Sequence, residues 1–204
     1  WIVMKSKKLL AILLGALILP LSGCAPLLVF GAVGTTGVIM ADRRSNAVML
    51  EDQEIELKVD KAVSDLPYGS KNHINKVSYN HVVLLAGEVH NREVGLTLED
   101  EVKKIPGVTN VYNELVIAPT SSFSERSQDT FITTKVKSEI ALINIAPDFY
   151  AGNVKVVTER GIVYLMGLLK PSEMQPVIDR ARGVSGVVEV VPLFQTYYPE
   201  KKDK

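Results

Sequence analysis

The chain has 204 residues, 47% apolar and 23% charged, enough for one ordinary domain or two small ones and too apolar for a disordered chain. Basic and acidic side chains number 23 each, a balance that argues against a nucleic-acid binder working through bulk charge. One cysteine can form neither an internal disulfide nor a Cys-based zinc site, and the three histidines all lie within residues 73–90.

Lys5, Lys7 and Lys8 precede an unbroken apolar run over residues 9–19, the basic and hydrophobic parts of an export signal. That run of 11 is too short for a comfortable membrane span, which needs roughly 20 residues. It leads into Leu21-Ser22-Gly23-Cys24, which resembles the bacterial lipobox, where a cysteine becomes the acylated first residue of the mature protein. The alternative is a chance apolar helix with a buried thiol; against it, the only cysteine stands where the signal requires one. Residues 1–23 are therefore expected to be a signal peptide, and Cys24 the lipidation site. Its loss would remove three lysines and no acid, leaving 20 positive against 23 negative charges. Two or three acyl chains anchor a protein almost permanently, at about 0.8 kcal/mol per buried CH₂. By resemblance to bacterial lipoproteins, Ala25 rather than Asp after the cysteine implies sorting to the outer membrane. The functional part then faces the periplasm or, less commonly, the cell surface, without access to ATP. Residues 24–49, with Gly31, Gly34 and Gly37 interrupting the apolar stretch, are expected to form a tether.

The remaining chain is one unit written twice. Val83-x-Leu85-x-Gly87 recurs as Val163-x-Leu165-x-Gly167, 80 residues on, and Gly107-Val108-x-x-Val111 as Gly186-Val187-x-x-Val190, 79 on. In the first copy, Ile55, Val59, Ala62, Val63 and Leu66 have helical spacing. Two strands follow, around residues 76–79 and 82–89, with Asn80-His81 as their turn. A second helix stops at Pro106-Gly107, and a third strand covers residues 108–117. In the second copy, Ile132, Val136 and Ile140 begin the first helix, strands at 154–158 and 162–169 flank Glu159-Arg160-Gly161, and a helix near 175–183 precedes a strand at 187–195. The fold class is α+β: each α-β-β-α-β copy should pack two helices on a three-stranded mixed sheet. The expected layout is a first domain at 50–118, a Ser-rich linker at 119–127, a second domain at 128–197 and a polar tail at 198–204. The two copies are expected to fold as separate units.

The α-β-β-α-β order, the Val-x-Leu-x-Gly strand and the Gly-Val-x-x-Val that opens the last strand together resemble the BON domain over about 140 residues. Two such domains behind a lipobox look like the dual-BON outer-membrane lipoproteins of the DolP type. The stretch at 129–138 and Tyr164-Leu165-Met166-Gly167-Leu168 fit that group. Two departures stand out: His81 replaces the usual hairpin glycine, and Pro176 intrudes into the second copy's second helix, which should then begin late. The resemblance implies a protein that binds anionic phospholipid through its second domain and supports outer-membrane integrity, with a link to the division site. The competing reading is a docking adaptor for envelope assembly or for regulators of cell-wall hydrolases.

Catalytic and cofactor signatures do not occur. Glu51, Asp52, Glu54 and Glu56 read as charges on a solvated helix face rather than as a metal or acid–base site. His73, His81 and His90 lack metal-ligand spacing, and no Gly-x-Ser-x-Gly or phosphate-cradling loop is present. A binding protein without metal or cofactor is expected.

The helix that opens the second copy is the informative one. At 100° per residue, Ile132, Val136 and Ile140 share the face toward the sheet, while Phe131, Lys135, Ser138 and Leu142 form a neighbouring stripe. An exposed Phe beside Lys135 and Lys137 suits a membrane surface, the ring among acyl chains and the amines near phosphates. The first copy's helix carries six acids against Lys58 and Lys61, whereas the second balances Asp129 and Glu139 with Lys135 and Lys137. Charge therefore points to the second domain as the lipid-facing one. The candidate phospholipid-binding set is Phe131, Ile132, Lys135, Val136, Lys137, Ser138 and Leu142. The other outcome for Phe131 is burial between the two domains.

Overall fold

The computed structural model describes residues 42–199. Cys24, the signal peptide, most of the expected tether and all but the start of the polar tail lie outside these residues. The elements run α1 Asn46–Ser64, β1 His73–Tyr79, β2 Val82–Val89, α2 Arg92–Lys103, β3 Asn110–Ile117, α3 Phe123–Ala141, β4 Val154–Glu159, β5 Ile162–Leu169, α4 Pro171–Arg182 and β6 Glu189–Thr196. Short 3₁₀ turns at Gly69–Lys71 and Ala151–Asn153 precede the first strand of each sheet. Both sheets pair their first two strands antiparallel and their last two parallel, so the middle strand is central.

The repeated glycine in the middle strand has a steric cause. A Cβ at Gly87 would stand 2.2 Å from the carbonyl oxygen of His73, and one at Gly167 2.4 Å from that of Asn153. The neighbouring backbone therefore admits only glycine at these two positions.

Ile55, Val59, Leu85, Leu98 and Val102 bury the helix side of the first sheet, and Ile132, Val136, Ile140, Leu165 and Val177 that of the second. The opposite faces of the two sheets are buried as well. Val77, Tyr79, Val82, Leu84 and Ala86 pack against Val157, Tyr164, Met166 and Leu193 in a shared core, giving four layers: helices, sheet, sheet, helices. Each large side chain kept from water contributes ~1.5–3 kcal/mol. These nine residues thus rival the ~5–15 kcal/mol that holds a whole domain folded. The copies therefore share a core across their sheets, where a polar linker alone suggests independent units.

Other boundaries differ from expectation too. Helix α3 begins inside the expected linker, closed by a capping box in which Glu125 N–H donates to Ser122 Oγ (3.3 Å) and Ser122 N–H to Glu125 Oε2 (2.7 Å). Helix α4 starts at Pro171, whose missing N–H costs nothing in a first turn, and continues through Pro176. The end of the expected tether is structural. Arg43 donates to both carboxylate oxygens of buried Glu173 (2.6 and 2.8 Å) and to Leu168 O (2.8 Å), and stacks over Tyr197. Burial alone would raise the Glu173 carboxyl, but Arg43 holds it below the ordinary glutamate value.

The acidic run on α1 is not simply a solvated face. Asp52 is buried and accepts from Ser78 Oγ, the N–H groups of Asn80 and His81, and Arg44 Nη1, all at 2.7–2.8 Å. Asp129, 77 residues on, accepts from the N–H groups of Arg160 (2.9 Å) and Gly161 (2.8 Å). Each aspartate ties its helix to the β-hairpin turn, whose two central residues have positive φ.

Candidate functional site

Helix α3 presents two flanks beside its buried face. Ile132, Val136 and Ile140 are buried under the sheet, which removes Ile132 and Val136 from any direct lipid contact. On the outer stripe Phe131 is 62% exposed and Leu142 71%. The Lys135 ammonium stands 4.9 Å from the Phe131 ring centroid and donates to the carbonyl of Ser185, so lysine and ring are held together. Ser138 turns its hydroxyl back to Thr134 O (3.0 Å). Phe131 is not an interdomain contact.

Lys137 does not join this stripe. Six residues after Phe131, it lies about 120° around the helix, on the flank toward Lys155. Partial burial and then Lys155 lower its pKa. The lysine pair expected beside Phe131 is therefore split, with Lys135 alone against the ring.

Helix packing adds residues that the α3 pattern alone did not indicate. Between α3 and α4 runs an open groove of about 720 Å³ lined by Lys135, Ser138, Ile143, Arg180, Val184 and Ser185. Arg180 reaches Glu139 across it (3.3 Å). Val188, in the Gly-Val-x-x-Val segment, and Phe123, in the first turn of α3, are also largely exposed. Arg180 falls within the helix expected near 175–183, but no sequence pattern shows that this helix packs beside α3. Val188 was hidden because its motif reads as structural.

Among the described residues no group of three His, Cys, Asp or Glu side chains is arranged to hold a metal ion. No described helix is long and apolar enough to cross a membrane.

The BON-domain family model matches residues 51–119 and again 128–196, one match for each α-β-β-α-β copy. The chain belongs to the BON-domain family. It is 38% identical over 189 residues to the outer membrane lipoprotein DolP of Haemophilus influenzae, covering 92% of this chain and 95% of that protein. It is also 33% identical over 154 residues to a 21 kDa hemolysin of Actinobacillus pleuropneumoniae, 75% of this chain and 78% of that one. A solved structure of CdsD, a structural protein of the type III secretion system of Chlamydia trachomatis, aligns over 72% of this chain and 94% of its own, with a TM-score of 0.31 and 11% identity. Length, paired BON domains and identity together make this a dual-BON, DolP-type lipoprotein of the outer membrane.

Proposed function

We propose that the protein, acylated at Cys24, binds anionic phospholipid through its second BON domain and so supports outer-membrane integrity, including at the division site. The observation that carries this reading is the exposed Phe131 ring with the Lys135 ammonium held over it, on a helix that buries Ile132, Val136 and Ile140 on its other side. Burying most of an aromatic side chain contributes ~1.5–3 kcal/mol, and one lysine near an anionic surface about 1 kcal/mol. The sum is weak for a freely diffusing protein and sufficient to orient one already anchored. The Arg43–Glu173 clamp supports the same reading, since it fastens the chain arriving from the anchor side to the second domain. Flotation of the compact unit Val38–Lys204 with vesicles tests it. Binding to anionic but not zwitterionic vesicles is expected, falling with added salt.

A second reading, a docking adaptor for envelope assembly or cell-wall machinery, is favoured by a different surface. Leu50 and Leu57, two turns apart on α1, are 66% and 69% exposed on the acidic first domain. A partner helix with an apolar stripe and flanking cations would suit them.

A further inference from the structure

Edge strands β1 and β4, one from each domain, and the inner flank of α3 line a cleft of about 590 Å³. Lys155, Val157 and Glu159 alternate onto one face of β4. Val157 belongs to the core between the sheets, so that face looks toward the first domain. At one end Glu159 is almost wholly buried. Its Oε1 accepts from Asn75 Nδ2 (3.1 Å), while Oε2 has no hydrogen-bond partner among the described residues and faces His73 Nε2 at 3.6 Å. At the other end stand Lys137 and Lys155, close enough for Lys155 to disfavour the charge on Lys137. Neither has a carboxylate within 4.0 Å among the described residues, whereas the cleft's third lysine, Lys76, is paired with Asp60 (2.5 Å).

A buried carboxylate oxygen without a donor and two crowded ammoniums without an anion are complementary deficits in one cavity. We infer that this cleft binds a small zwitterion, with its ammonium against Glu159 and its phosphate between Lys137 and Lys155; phosphoethanolamine is the simplest ligand of this kind. A simple anion would meet Glu159 and Asp129, and a simple cation would meet the lysines. The two ends are about 13 Å apart along the strand, less the reach of two long side chains. Lysine binds phosphate as a point charge and needs no bidentate geometry. The site lies on the opposite flank of α3 from Phe131 and does not depend on the membrane reading.

Burial above all, with Asp129 on α3 and Glu88 on β2, raises the Glu159 pKa to about 7 against the opposing effects of Asn75 on β1 and Arg126 on α3. His73 on β1 faces the same oxygen. An ammonium partner draws the proton off this carboxyl, so binding strengthens as pH rises through about 7.

The test is calorimetric titration of the full-length chain in detergent micelles with O-phosphoethanolamine, inorganic phosphate and ethanolamine in turn. The ester should bind at least tenfold more tightly than either fragment. Glu159→Gln and the exposed Lys155→Gln should each weaken it at least tenfold, and Phe131→Glu should leave it unchanged. Phosphatidylethanolamine vesicles that compete with the soluble ester identify a lipid headgroup as the source; vesicles that do not compete identify a soluble phosphoethanolamine ester. The absence of heat at millimolar ester, equal affinity for phosphate alone, or unchanged affinity in folded Glu159→Gln overturns the inference.

Discussion

The two halves of this molecule share strand order, register and the glycine at the close approach in the middle strand, yet differ at their first helix. In the first, Asp52 gathers four donors, and Arg44 stacks over Tyr79 beside it. In the second, the equivalent Asp129 binds two backbone N–H groups, and the helix leaves Phe131 exposed with the Lys135 ammonium over its ring. One copy has invested this helix in internal polar ties and an acidic exterior. The other has kept the ties minimal and left an aromatic–lysine pair outside. The sheet–sheet core lets either half rely on the other for burial, so the two first helices are free to differ.

Substitutions that break this symmetry rank by what they disturb. The largest effect is expected for Gly167→Val, whose Cβ would collide with a backbone carbonyl 2.4 Å away. A loss of about 3–5 kcal/mol, read by thermal or denaturant melts, should unfold both halves together as one transition. Two separate transitions would show that the shared core does not couple them.

Removing the helix-to-hairpin ties should give unequal losses. Asp52→Ala abandons four donors, including a charged guanidinium, and should cost about 3–5 kcal/mol. Asp129→Ala abandons two N–H groups and should cost about 2 kcal/mol. Equal losses in urea melts would mean that Arg44 and Ser78 contribute nothing.

A pH-dependent effect belongs to the joint between the halves. Glu159 has its pKa raised from 4.5 to about 7, so the folded chain holds this proton more tightly than the unfolded one. Its contribution is complete below pH 4.5 and is lost as pH rises through about 7. At about 1.4 kcal/mol per pKa unit, the shift corresponds to ~3–4 kcal/mol. Glu159→Gln should flatten that part of the stability profile between pH 5 and 8, measured by urea melts.

The smallest expected change sharpens the comparison. His81 has φ 67° where the second copy has Gly161 at φ 75°. Its strained conformation is held by Asp52 through the Asn80 and His81 N–H groups, and the imidazole bonds Glu51 (2.7 Å). His81→Gly should relieve the strain and raise stability by about 0.5–1 kcal/mol, less whatever the Glu51 contact supplies. A measurable loss in the melt would show the imidazole contact to be the stronger term.

Much of this architecture was legible in the sequence, because its causes are local. Strand order followed from alternating turns and apolar runs, and the repeated glycines marked sites where backbone meets backbone. Helical phase places Phe131, Lys135, Ser138 and Leu142 outside, Ile132 and Val136 within, and Lys137 about 120° from Phe131. The capping box Ser122-Phe123-Ser124-Glu125 was present but masked by serines that also suit a linker. The apolar run at residues 82–86 of β2 signalled burial on both faces, though nothing in it named the second copy as the cover. The Arg43–Glu173 clamp, 130 residues apart, carried no local pattern at all.

The central claim is that α3 faces lipid through Phe131, and Phe131→Glu in the compact unit Val38–Lys204 tests it most directly. Flotation with anionic vesicles should be abolished, while the melting transition stays within about 0.5 kcal/mol of the parent, as for a surface substitution. Retained flotation, or a domain that unfolds, would contradict it.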